Sequence, residues 1–133
     1  MAHPMQTAEN TVALGEILDV EQLHESLTAV SSDLSEGLVL LRQTYLEDAE
    51  DRVARLEGAI ATLDFDQIRF AAHTLKSSSA LMGAKQLAQL CSQIESQARQ
   101  NNPDGLAVLV VQARFAQRQI AERLLTYDPN QMP

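Results

Sequence analysis

His73 and Lys76 stand three residues apart in the stretch FAAHTLKSSSALMGAKQL, residues 70–87. A neutral imidazole carries a lone pair on one ring nitrogen and ordinarily titrates at roughly pH 6.5. Such a nitrogen can attack an activated phosphoryl group in line without a general base, provided that a cation offsets the phosphate charge. Side chains three apart on a helix share a face, so the Lys76 ammonium can serve that purpose. With Ile68 as the centre of an apolar stripe and about 100° per residue, Ala72, Leu75, Ser79 and Met82 fall within about 40° of it. On the same wheel His73 lies about 140° away, Ser77 about 180°, Ala80 about 120°, Arg69 about 100° and Lys76 about 80°. The imidazole is therefore expected to face outward between two cations, above small neighbours. Phe70, at about 200°, is expected beside it as an exposed docking residue, the competing reading being a contact with an adjacent helix. Taken alone, an outward histidine is more often surface decoration or the partner of a carboxylate, so the elements around it have to be read as well.

Asp64 followed by Gln67 is a helix-capping signal. It opens a helix with Phe65, Ile68, Ala72, Leu75, Ser79 and Met82 on one side, and Gly83 can stop it. The next helix starts near Ala84, with Leu87, Leu90, Cys91, Ile94 and Ala98 as its stripe. NNPDG, residues 101–105, is the clearest loop, and Leu106, Leu109, Val110, Ala113, Ile120 and Leu124 mark the last helix. Upstream, Asp19 and Gln22 repeat the capping signal ahead of Val20, Leu23, Leu27 and Val30. SSDLSE then breaks this short helix, and a long one is expected from about Glu36, with Leu38, Leu41, Tyr45, Ala49, Arg52, Leu56, Ile60 and Leu63 as its stripe. The fold expected is all-α: an antiparallel four-helix bundle over residues 18–127 with a short additional N-terminal capping helix. Residues 1–17 read as a flexible segment and residues 128–133 as a flexible tail. The irregular start fits a free-standing protein or a domain of a larger one.

Composition narrows the function classes. The 133 residues suit one domain with one core, and the 45% hydrophobic content is mainly Leu, Ala, Val and Ile. A net charge of −8 leaves no basic footprint for nucleic acid or anionic lipid. The longest apolar run, residues 106–111, is too short to span a bilayer, and no signal peptide is evident, so a cytoplasmic location is the expectation. Cys91 is the single cysteine, which excludes an internal disulfide, and its place on an apolar stripe marks it as a small core residue rather than a reactive thiol. There is no G-x-x-x-x-G-K-[ST] loop and no Gly-rich box, hence no expected use of ATP. His3, His24 and His73 sit on separate segments without H-x-x-x-H spacing, which makes a metal-dependent enzyme or phosphatase the weakest reading; His24 is taken as surface and no metal ligands are assigned.

The stretch AHTLKSSSALMGA, residues 72–84, resembles the signature of histidine-containing phosphotransfer (HPt) domains of two-component phosphorelays, roughly A-H-x-L-K-G-S/A-S/A-x-x-x-G. The resemblance extends over the expected bundle, residues 19 to about 127. It implies a phosphocarrier rather than a true enzyme, shuttling a phosphoryl group between receiver-domain aspartates. His73 would be the phosphoacceptor, Lys76 the cation attending the phosphoryl group, and Gly83 the end of the His-bearing helix. Arg69, Phe70, Ser77 and Ala80 would form the docking face. The partners implied are the receiver domain of a response regulator, a hybrid sensor histidine kinase, or both. The chain is expected to be a monomer with no cofactor of its own, Mg²⁺ belonging to the receiver. Two positions depart from the pattern. Ser77 stands where the family usually has Gly, which implies slower or more selective docking. Glu95 stands where the family often has a Gln bonded to the imidazole; a carboxylate could orient the ring but adds negative charge, which Arg99 one turn later could moderate. The alternative is a non-catalytic helical adaptor with a decorative His73.

Overall fold

The computed structural model describes residues 17–131. Each early helix starts at an aspartate whose side chain accepts the backbone N–H three residues on, satisfying an otherwise orphaned donor. Asp19 accepts from Gln22 at 3.2 Å and opens α1, Val20–Val30. Asp33 accepts from Glu36 at 3.2 Å and opens α2, Leu34–Thr62. Asp64 accepts from Gln67 at 3.2 Å and opens α3, Phe65–Leu81. α4 spans Lys85–Arg99, and α5 spans Leu106–Thr126 behind Gly105, whose φ is 76°. Helix α2 thus begins two residues ahead of the expected Glu36, because Asp33 supplies the cap and Glu36 already lies in the first turn.

The described residues form the expected all-helical bundle. α3 packs between α2 and α4, α5 closes the bundle against the same two, and α1 caps one end against α2 and α3. α3 and α5 therefore occupy opposite corners. Ile68, Leu75, Cys91, Ile94, Leu56, Ala113 and Ile120 are buried together in the core. Beneath α3 the Tyr45 and Ser79 hydroxyls are hydrogen-bonded to each other at 2.8 Å, which satisfies two buried polar groups. Arg114 of α5 reaches across to Glu50 and Glu57 of α2, each at 2.7 Å.

Three expectations of the apolar stripes need correction, two on the long helix and one on α1. Arg52 is only half-buried at the rim, and Val53 takes its place in the core. Leu63 leaves the stripe, since it caps α2 in the left-handed conformation at φ 52° and is exposed. Val30, at the end of the α1 stripe, is exposed as well. At the chain ends, Ile17 and Leu18 are buried against the core, and residues 1–16 lie outside the described residues. Part of the expected tail forms a 3₁₀ turn, Pro129–Gln131, where the Asn130 amide donates to Ser35 Oγ at 2.8 Å. His24, expected as free surface, is half-buried: its Nε2 lies 2.8 Å from the Tyr127 hydroxyl. Glu21 and His24 stand at E-x-x-H spacing, yet among the described residues no group of three His, Cys, Asp or Glu side chains gathers as metal ligands would.

Cys91 has no exposed surface, and burial pushes its thiol up to about 12. Thiolate is the reacting species, so native Cys91 is expected to react with a thiol reagent at pH 8 at least about a hundredfold more slowly than in denaturant. Labelling of the native chain at the denatured rate would contradict this packing.

Candidate functional site

The site is built on the seam between α3 and α4. Asp64 sets the start of α3, and the stripe of Ile68, Ala72, Leu75 and Ser79 fixes its rotation by burying one face. That rotation turns His73 outward, with its side chain 58% exposed. α4 is fixed in the same way by Leu87, Cys91, Ile94 and Ala98. Glu95 follows Ile94 and is therefore drawn down into the seam, its side chain only 6% exposed.

Three cationic or protonated groups converge on this one carboxylate. His73 Nδ1 lies 2.8 Å from Glu95 Oε2, Lys76 Nζ donates to Oε1 at 2.6 Å, and Arg99 donates to Oε2 at 2.9 Å. Burial works against ionisation of Glu95, but the hydrogen bonds from Lys76 and His73 outweigh it and hold the carboxyl below its ordinary value. An ionised carboxylate only accepts, so His73 Nδ1 is the ring's N–H donor. The neutral ring then carries its lone pair on Nε2, on the side away from Glu95. The arrangement is a nucleophilic nitrogen fixed in one tautomer above a buried, charge-balanced acid. Glu95 is thus the hydrogen-bond partner of the imidazole. Lys76 is paired with Glu95 in this state rather than projecting beside Nε2.

The folded value of Glu95 is depressed, so the stability it contributes is present above its ordinary value of 4.5 and is lost as pH falls through the folded value. Glu95→Gln is accordingly expected to lower the urea midpoint at pH 7, with the gap from the parent chain narrowing as the pH is taken below 4.5 and Glu95 becomes protonated. A gap that stays the same size as the pH is lowered would show that the ionised carboxylate is not what stabilises the seam.

The remaining candidates lie on the same outer surface. Arg69, Phe70, Ser77 and Ala80 are all exposed. Ser77 Oγ donates back to the His73 carbonyl at 3.3 Å, so its hydroxyl is turned along the helix rather than held outward. Phe70 is 57% exposed on the α2 side of the helix, with the Arg52 guanidinium 5.7 Å from its ring centre. Phe70 thus meets the neighbouring helix through Arg52, which lies over its ring, and leaves the larger part of its surface to solvent.

Two features escaped the sequence reading. An apolar groove of about 420 Å³ opens between α1, α2 and α3, lined by Val30, Leu41, Tyr45, Leu81 and Met82 among others. Leu81 at its edge is 60% exposed and shares the outer α3 surface with Phe70. The other is the Tyr45–Ser79 pair. Its signal was available: a serine on an apolar stripe needs a buried partner, and Tyr45 was the polar-tipped residue on the facing stripe.

A family model described as the Hpt domain matches residues 40–126. The chain is similar to the sensor protein TorS of Escherichia coli, 35% identical over 98 residues, which is 73% of this chain and 10% of that protein. It is also similar to multistep phosphorelay regulator 1 of Schizosaccharomyces pombe, 24% identical over 109 residues, covering 82% of this chain and 37% of that protein. The chain thus spans well under half the length of these two relatives. Among solved structures, histidine-containing phosphotransfer protein B from Pseudomonas aeruginosa matches with a TM-score of 0.72 and 28% identity, over 84% of this chain and 97% of that one.

Proposed function

Because the chain belongs to the Hpt domain family and its function is histidine phosphotransfer in two-component signalling, we propose that His73 is the phosphoacceptor and that the surface around it docks receiver domains. The observation that carries this assignment is the bond between His73 Nδ1 and buried Glu95, which leaves Nε2 as the exposed nucleophile. In the forward step the Nε2 lone pair attacks the phosphorus of a receiver aspartyl phosphate. The N–P bond forms, the P–O bond to the aspartyl carboxylate breaks, and the carboxylate leaves with the electron pair. No proton has to move, since Nδ1–H stays on Glu95. The reverse sequence delivers the group to a second receiver aspartate, both species being reactive phosphoryl donors.

Charge balance is the other requirement. The flexible Lys76 stem can carry its ammonium from Glu95 to the arriving phosphoryl oxygens, and Arg99 then remains to balance the acid. Arg69, one turn before His73, adds positive charge on the approach. This chain needs no cofactor for these steps; Mg²⁺ belongs to the receiver's carboxylates. We place the chemistry in the cytoplasm, and among the described residues no helix is long and apolar enough to cross a membrane.

The test is direct transfer. Incubated with a receiver charged by a small phosphodonor, the chain is expected to gain one phosphoryl group that is labile to acid and stable to alkali. A chain that binds charged receivers yet never acquires label would be an adaptor instead. For the docking surface, Phe70→Ala is expected to weaken receiver binding about tenfold, about 1.4 kcal/mol, with little change in melting temperature. If the variant loses stability and keeps its affinity, Phe70 is a packing residue rather than a contact.

A further inference from the structure

The apolar run at residues 106–111 plays no part in the His73 site. Its helix, α5, lies at the corner opposite α3. Leu106, Val110 and Ala113 of α5 face the core. Val108, Val111 and Phe115 do not: they are 60%, 69% and 63% exposed. At about 100° per residue all three lie within about 40° of the direction opposite the buried stripe. A surface helix normally turns polar residues that way, so a row of three large apolar side chains over two turns marks an interaction face. Arg114, whose stem could have covered them, is drawn across to Glu50 and Glu57.

We propose that this row is a two-fold interface with a second copy of the chain, α5 against α5 and antiparallel. The argument is self-complementarity. An acid, Asp104, precedes the row and a base, Arg118, follows it, and both are exposed. An axis passing near Val111 sets Val108 of each copy against Phe115 of the other, and brings each Asp104 beside the opposite Arg118. A parallel pairing would oppose like charges at both ends, so the pattern selects the isologous arrangement. The patch is small and each copy carries a net charge of −8, so association is weak. His73, on the opposite corner, stays open on both copies. Where the sequence led to the expectation of a monomer, this row supports weak self-association.

Sedimentation of the full chain from about 5 to 500 μM tests the proposal. The weight-average mass is expected to rise from 14.6 kDa toward twice that value. Phe115→Glu and Val111→Lys are each expected to abolish the rise while leaving helix content and phosphoryl labelling unchanged. Asp104→Lys is expected to weaken association at least fivefold, and adding Arg118→Glu to restore it. A constant monomer mass across the range would overturn the proposal. So would a dimer that survives Phe115→Glu, a double swap that fails to restore association, or loss of folding in both apolar-face variants, which would make the row a packing element.

Discussion

The His73→Gln chain is expected to take no phosphoryl label from a charged receiver, against one group per chain for the parent. The loss should be complete because Nε2 is the only nucleophile in the proposed step and an amide nitrogen has no available lone pair. Folding should be spared. The His73 side chain is 58% exposed, and glutamine can still donate to Glu95 from nearly the same position. Melting temperature is therefore expected to stay within a few degrees of the parent. Lys76→Ala supplies the contrast in the same assay. It removes a charge and keeps the nucleophile, so label should still arrive, about ten to a hundred times more slowly. Label on the His73→Gln chain would move the phosphoacceptor to another residue and leave the seam at Glu95 without its assigned purpose.

The largest expected loss of stability comes from Gly83→Ala, a single added methyl. Gly83 sits at φ 81°, a left-handed conformation that costs an L-residue roughly 1–2 kcal/mol. A Cβ there would also stand 2.4 Å from the Asp19 carbonyl oxygen, which is backbone and cannot rotate away. The Asp19 N–H donates to the Gly83 carbonyl at 2.7 Å, so the two segments cannot separate without breaking that bond. Overpacking of this kind costs roughly a further 1–3 kcal/mol. A total of about 3 kcal/mol should lower the melting temperature by roughly 10 °C for a domain of this size. The damage should centre on α1, with faster amide exchange at residues 20–30 than in α3 and α4. An unchanged melting temperature would show that the start of α1 moves freely and does not tie the cap to the His-bearing helix.

How far the sequence could be read varied with distance along the chain. The caps at Asp19 and Asp64, the stop at Gly83, the burial of Cys91 and the outward turn of His73 were all legible. The 29-residue α2 was legible as a helix but not in detail: its start was missed by two residues, and Arg52 was placed where Val53 is buried. Over eight turns a stripe drawn at three- and four-residue steps drifts around the helix, and only the neighbouring helices decide which side of the drift is covered. His24 could not be read at all, since its partner Tyr127 lies 103 residues away.

Glu95 marks the boundary most clearly. Its place on α4 was found by resemblance, but not that it is buried or that it holds His73, Lys76 and Arg99 at once. By itself the sequence determined most of the helix ends and, for the shorter helices, the face turned to the core, because caps and stripes rest on interactions within about four residues. The tertiary structure alone decided which side chains meet across a seam. That depends on the rotation and axial register of one helix against the next, and these are set only when their apolar faces are buried together.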